Sequence, residues 1–320
     1  MVHNINCKSH YTDLIMPLKG ILPVLPTPFT ESGVDIAAMR RIVRFALDAG
    51  VAGVVFPGFA SEVEMLTGEE RLALLETVSA EVDGRVPVIA GASAATVDDV
   101  VAYGRQALAL GITQLMIQPP KSIGAGADAV AAFLSASAMQ MPDAEFILQN
   151  APAPRGSDLS PEAVLKVVRR VPAVRYVKEE TLPAGPAITA ILADAPEHLL
   201  GVIGGGGARY ILDEYDRGAC AAMPALEIAD LHVALDRNYR AGRGGEARTL
   251  YVKSLPLLAL QAVYRMRLTK HVLGLRGIID NPIVRAPTPD LDAMAVRDIE
   301  RCLQECEVES FGRSNRGSGA

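Results

Sequence analysis

The sequence predicts an α/β protein built as a (β/α)8 barrel, the TIM-barrel class, with a C-terminal helical extension. Three observations lead there. Short apolar runs punctuated by Gly and Pro alternate with stretches of helical periodicity along most of the 320 residues. The runs are apolar without a break, the pattern of parallel strands covered on both faces. Eight of them, nearly all spaced by one helix, fall within about 220 residues, the size of a barrel. A doubly wound open sheet fits the same alternation, because closure of the ring leaves no trace in a sequence.

The elements follow in order. GILPVLPTPF (20–29) is a Pro-punctuated first strand. The helix DIAAMRRIVRFALDAG spaces Met39, Ile42, Val43, Phe45 and Ala46 on one face and stops at Gly50. VAGVVFPG is the second strand, and the next helix opens with Thr67 and Glu70, a capping box. VPVIAG, ITQLMIQPP and EFILQNAP are strands, each followed by a helix; the last of these helices carries Pro161 in its first turn. AVRYVKEE, HLLGVIGG and ACAAMPA complete the eight. Further helices over about 243–276 and 290–307 form the extension. The expected division is a mobile N-terminal segment 1–17, a barrel 18–240, C-terminal helices 241–308 and a mobile tail 309–320.

Composition narrows the function classes. A net charge of −6 with both signs spread along the chain argues against nucleic-acid or anionic-membrane partners. No apolar run reaches membrane-spanning length, and the N-terminus lacks a signal-peptide core, so a cytoplasmic protein is expected. Four cysteines are too few for a disulfide framework. Cys302 and Cys306 stand at i, i+4 with no further Cys or His nearby, so they read as buried small apolar residues and no metal site is expected.

The stretch AVRYVKEET (173–181) places a lysine and two carboxylates directly after an apolar strand. Strand alternation puts Tyr176, Lys178 and Glu180 on one face. Strand C-terminal ends form the active face of a barrel. If that face points inward, burial lowers the lysine pKa and leaves a neutral amine, a nucleophile for ketones. The other reading is a surface lysine followed by solvated helix-entry charges.

Motifs elsewhere favour the first. PTPF (26–29) follows the first strand, GFASEVEMLTGEER the second, VPVIAGASAATVDDV spans the third, QNAPAPRG ends the fifth, YVKEET the sixth and GVIGGGG the seventh. In order and spacing these resemble the dihydrodipicolinate synthase and N-acetylneuraminate lyase family over about residues 20–290. The resemblance implies a barrel with C-terminal helices, commonly a homotetramer, and a lysine at the end of the sixth strand that forms a Schiff base with a 2-keto acid. Lys178 falls on that position.

The departures are informative. Where the family carries a Gly-Thr-Thr-Gly-Glu type loop to hold the substrate carboxylate, this chain has Gly58, Phe59, Ala60, Ser61 and Glu62. Its expected donors are the Ser61 hydroxyl and the amides of Ala60 and Ser61; a turn role is the alternative for Ser61. Gln149 stands where the family has a proton-shuttling tyrosine, and Gln cannot act as an acid or base. The tyrosine that a neighbouring subunit supplies is also absent, with Lys121 or Ser122 in its place. Dihydrodipicolinate synthase activity itself is therefore not expected. The 2-keto-3-deoxy-L-arabonate dehydratase branch is more similar: Phe59, Ser61 and Glu62, then Gln149, Ala151 and Pro152, then Lys178, Glu180 and Thr181 match it. Asn150, where that branch has Asp, and the run Gly204–Gly207 differ and point to a different distal end of the substrate. Gly204 and Gly205 read either as close backbone approach to ligand or as a flexible turn. Arg155 reads either as a bidentate carboxylate ligand or as an exposed loop residue.

The expected enzyme is a Schiff-base-forming lyase on a 2-keto-3-deoxy sugar acid, a dehydratase in which Glu180 moves protons with a pKa raised toward neutrality by the apolar barrel mouth. For Glu180 a helix-capping role is the other reading. The alternatives for the chain are a class I aldolase on pyruvate or another 2-keto acid, and a catalytically silent barrel that only binds one. No cofactor is expected, because the iminium is its own electron sink.

Overall fold

A computed structural model describes residues 17–124 and 126–307. Eight parallel strands form one sheet: β1 (Gly20–Ile21), β2 (Val54–Phe56), β3 (Val88–Gly91), β4 (Gln114–Ile117), β5 (Glu145–Asn150), β6 (Val174–Glu179), β7 (Gly201–Gly204) and β8 (Ala221–Ala222). Their order is β1-β8-β7-β6-β5-β4-β3-β2. Val24 bridges in parallel to both Val55 and Ala225 and so closes the ring. The structure is therefore the barrel and not the open sheet. Strands β2, β4 and β7 are buried at every residue, which is why their sequences run apolar without alternation.

Around the ring lie α1 (Ile36–Asp48), α2 (Gly68–Val82), α3 (Val97–Ala109), α4 (Ala127–Met139), α5 (Pro161–Arg170), α6 (Ala184–Ala193), α7 (Ile211–Asp216) and α8 (Ala229–Arg240). Side-chain caps start several of them: Asp35, Thr96 and Ser160 accept from an amide in the first turn of α1, α3 and α5. The capping box of α2 is formed, with Thr67 and Glu70 each accepting from the other's backbone N–H at 3.1 Å. Helix α8 was not foreseen, because the sequence reading assigned nothing to residues 226–242.

The first strand is shorter than its apolar run. Pro23, Pro26 and Pro28 offer no N–H, so ladder pairing stops after Ile21 and only Val24 bridges onward. Gly91 shows why β3 ends as it does: a Cβ there would lie 1.7 Å from the Pro57 carbonyl oxygen.

The barrel interior is filled by Leu22, Val55, Ile89, Met116, Ile147 and Tyr176, among others. The Tyr176 hydroxyl accepts from the Leu18 backbone N–H at 2.9 Å, so this ring points toward the N-terminal end of the barrel. The extension is α9 (Gly244–Leu275) and α10 (Ala293–Glu305). Cys302 and Cys306 are buried in the apolar seam of this extension with Leu257, Leu258, Leu268 and Ile299. Cys7, residues 1–16 of the expected mobile N-terminal segment 1–17, and all of the expected tail 309–320 lie outside the described residues.

Candidate active site

Parallel register builds the site. Lys178 on β6 stands beside Gln149 of β5 and Ile203 of β7, and Tyr176 beside Ile147 and Gly201. Tyr176 belongs to the interior layer, and period-two alternation puts Lys178 above it at the C-terminal mouth. Lys178 is 4% exposed. Burial pulls its ammonium below the ordinary range, and the charge of Glu180 offsets this in part. Nζ lies 3.4 Å from Glu180 Oε1.

The two carboxylates after Lys178 divide their work. Glu179 points to the opposite face, where Oε2 accepts from Asn150 Nδ2 at 2.9 Å and Oε1 from the Thr181 amide at 2.8 Å. Asn150 also donates to the Leu159 carbonyl and accepts from the Leu159 amide. Asn150 thus ties β5 to β6 and to the loop at Leu159.

Glu180 turns back to the mouth. Oε2 accepts from Gln149 Nε2 at 2.7 Å and pairs with Arg155 Nη2 at 3.2 Å. Burial pushes its pKa up, but Lys178, Arg155, the Gln149 amide and the Gly206 N–H together outweigh burial and hold it at about 2. The expected rise toward neutrality is corrected. Glu180 is ionised at neutral pH: Lys178 of its own strand is joined by Arg155 and Gln149, which come from other elements and were invisible in the strand's own sequence.

The loop after β2 forms a short 3-10 turn, Phe59–Ser61. Ser61 is fully buried; its Oγ donates to the Leu25 carbonyl at 2.5 Å and accepts from the Gly58 amide at 2.9 Å. One hydroxyl proton cannot serve two acceptors. Ser61 Oγ therefore shapes the loop and is not the free donor expected. The Ser61 amide is also used, donating to the Gly58 carbonyl at 2.9 Å. The first amides of a helical turn have no intrahelical acceptor, and here these are Phe59 and Ala60.

The loop is braced from behind. Thr27 Oγ1 donates to the Ser61 carbonyl at 2.6 Å. Glu62, in the left-handed region at φ 57°, pairs with buried Lys270 Nζ at 2.5 Å. Its Oε2 accepts from the amides of Arg285 and Ala286, both at 2.7 Å. Phe29 lies between Lys270, 4.1 Å from its ring centre, and Arg285, 4.0 Å away. Sequence reasoning had Glu62 only as part of a motif; its partner is more than 200 positions away.

The glycine run makes room for side chains. A Cβ at Gly204 would lie 2.1 Å from Glu214 Oε2, and one at Gly205 would lie 2.3 Å from Glu180 Cγ. This is a third role, beside the ligand approach and flexible turn foreseen. Glu214 is 1% exposed, and neither carboxyl oxygen has a hydrogen-bond partner among the described residues. Burial, with the nearby charges of Glu180, Asp213 and Glu179, raises its pKa to about 8. No motif flagged it.

Two further arginines, Arg265 and Arg209, lie close to Arg155 or Glu180. Arg155 lies over the Phe59 ring at 4.9 Å and Arg265 over the same ring at 5.4 Å. Arg265 interrupts α9 with φ 49° and ψ −122°, strain of about 1–3 kcal/mol for a residue other than glycine. Arg209 Nη1 donates to Gln261 Oε1 at 3.1 Å. Sequence periodicity gave no hint of the break at Arg265. Lys121 and Ser122 lie exposed in a 3-10 turn, Lys121–Ile123.

A buried amine paired with an ionised carboxylate at the C-terminal mouth of a (β/α)8 barrel defines a barrel enzyme. The chain belongs to the dihydrodipicolinate synthetase family, whose model matches residues 17–306, and it is a lyase of that family. It is 30% identical over 278 residues to L-2-keto-3-deoxyarabonate dehydratase of Azospirillum brasilense, covering 85% of this chain and 89% of that one. It is also 30% identical over 240 residues to 4-hydroxy-tetrahydrodipicolinate synthase of Salinibacter ruber, covering 70% of this chain and 78% of that one. Dihydrodipicolinate synthase from Rhodopseudomonas palustris shares the fold, with a TM-score of 0.83 at 24% identity over 90% of this chain and 97% of that one. Among the described residues no helix is long and apolar enough to cross a membrane.

Proposed function

We propose that the chain is a Schiff-base-forming dehydratase of 2-keto-3-deoxy sugar acids of the 2-keto-3-deoxy-L-arabonate type, working without a metal or organic cofactor. The single observation that supports this best is the Lys178–Glu180 pair, 3.4 Å apart in a buried mouth. The substrate carboxylate docks on the free amides of Phe59 and Ala60. The Lys178 amine, whose neutral form burial favours, attacks the C2 carbonyl and water leaves, giving the iminium. Glu180, ionised at working pH, takes a proton from C3 and leaves an enamine. The enamine electrons expel the C4 hydroxyl, and protonated Glu180, now a strong acid, returns the proton to it as water. Water then releases product from Lys178. Gln149 and Arg155 hold Glu180 in place.

A homotetramer in the cytoplasm is proposed from the family's habit, and sedimentation velocity tests the assembly. The chemistry is tested by borohydride reduction in the presence of pyruvate. Mass gained on the peptide containing Lys178 is the expected result; no covalent mass there would leave only a silent keto-acid-binding barrel. Product mass from a panel of 2-keto-3-deoxy acids separates dehydration from the carbon–carbon cleavage of an aldolase.

A further inference from the structure

We infer that Gln118, the first residue past β4, is a positioning residue: its side chain fixes the loop after β5 so that Arg155 stays on Glu180 beside the Lys178 amine. This rests on the Schiff-base reading of Lys178 and deepens it.

An unbroken run of polar contacts crosses the mouth from β3 to β6. Ser93, just past the end of β3, accepts at its Oγ from the Gln118 backbone N–H, 2.9 Å away. Gln118 Nε2 donates to the Arg155 carbonyl at 2.8 Å. Arg155 Nη2 meets Glu180 Oε2 at 3.2 Å, and Glu180 Oε1 stands 3.4 Å from Lys178 Nζ. Pro119 and Pro120 follow Gln118, so the Gln118 amide is the last backbone donor before Lys121. Its bond to Ser93 fixes the point from which the Gln118 side chain reaches the loop.

The loop needs this hold. Its own backbone bonds are local: the amides of Arg155 and Gly156 both donate to the Pro152 carbonyl at 3.0 Å. Pro152 and Pro154 have no N–H to give a neighbouring element. Among the described residues, Gln118 is the side chain from another element that bonds the backbone of residues 152–157. The Arg155 side chain is 28% exposed, and a half-exposed ion pair holds weakly when its two side chains are free to wander. The position of this guanidinium matters to both reacting groups, because its charge favours ionised Glu180 and disfavours the Lys178 ammonium. Among the described residues Gln118 has no bond to Lys178 or Glu180, so its effect runs through Arg155.

The test reads borohydride trapping of pyruvate on Lys178 against pH, since pyruvate has no remote end that could meet Arg155. In Gln118→Met, of similar length but without a donor, the trapping midpoint should rise, because the Arg155 charge that disfavours the ammonium moves away. Turnover of a 2-keto-3-deoxy acid should fall about twofold to tenfold in kcat, the worth of one hydrogen bond. Arg155→Gln should raise the midpoint too, and Gln118→Met added to Arg155→Gln should change it no further. Ser93→Ala releases the Gln118 backbone with its side chain intact and should move the midpoint in the same direction, which keeps the test decisive if thermal unfolding shows that Gln118→Met does not fold. A wild-type midpoint in these two variants, or a further shift in the double variant, would overturn the role of Gln118, while trapping on Lys178 would still uphold the Schiff-base reading. No trapping in the wild type would overturn both.

Discussion

Lys178 and Glu180 form a coupled pair whose members shift each other in opposite senses, and this makes their variants separable. Lys178→Ala removes the nucleophile. Turnover should fall below about a thousandth of wild type with the fold retained, since an essential nucleophile is worth several kcal/mol. Steady-state rates and circular dichroism check both halves, and activity above that level would remove covalent catalysis. Glu180→Gln keeps shape and one hydrogen-bond acceptor but cannot carry a proton. Borohydride trapping of substrate should persist while product formation falls by about a hundredfold or more. A second signature follows from sign. Glu180 charge raises the Lys178 pKa against burial, so its loss lets the amine titrate at lower pH. The pH midpoint of trapping should move downward in Glu180→Gln; an unmoved midpoint with normal turnover would leave Glu180 outside the mechanism. Period-two alternation made the Lys178 and Glu180 placement readable from sequence. The ionisation of Glu180 was not, because Gln149 and Arg155 reach it from β5 and the loop behind it.

At the scale of elements, the loop after β2 is held by a helix from the far end of the chain. Glu62 and Lys270 bury opposite charges 2.5 Å apart, and Lys270 is held down to about 8 by burial despite Glu62. Removing one member of a buried pair strands the other, at a cost of about 3–5 kcal/mol. Lys270→Met should lower the urea midpoint accordingly and also raise KM, because Glu62 directly follows Ser61 in the turn proposed to seat the substrate carboxylate. The double variant Lys270→Met, Glu62→Gln should recover part of the stability, since no lone charge remains. A single variant as stable as wild type would show that the pair is not coupled to folding. The helices and strands themselves were legible, since α1 and α5 carry apolar faces and clear caps. The contacts between distant elements were not. Ser61 meets Leu25 from the segment after β1 and Glu62 meets Lys270 of α9, and no local pattern encodes either partner. Helix α8 was missed because residues 226–228 lead into it without a side-chain cap.

Across the whole molecule, polarity is graded along the barrel axis. Its interior is an apolar layer through Tyr176, and the titratable groups gather at the C-terminal mouth: Lys178 and Glu180 inside it, Glu214 behind β7. The pattern sets a pH dependence of global stability that one group can be used to isolate. Glu214 has a folded pKa of about 8 against an ordinary value of 4.5. Between these values the folded state keeps a proton that the unfolded state releases. Stability from this group therefore falls as pH rises through that window, by at most about 1.4 kcal/mol for each unit. Lys178 acts in the opposite sense: its lowered pKa makes the unfolded state bind more protons, so its contribution rises with pH. The wild-type curve sums both, and only a comparison resolves them. Glu214→Gln keeps the volume and polarity of the protonated acid and does not titrate. Its stability relative to wild type should be below about 1 kcal/mol at pH 5 and should grow steadily to about 2–4 kcal/mol in its favour at pH 8. Urea unfolding midpoints of the two proteins at pH 5, 6.5 and 8 measure the difference directly. A difference that stays flat across this range would mean that Glu214 ionises in the fold as it does in water, and that the cavity against Gly204 admits a partner for it.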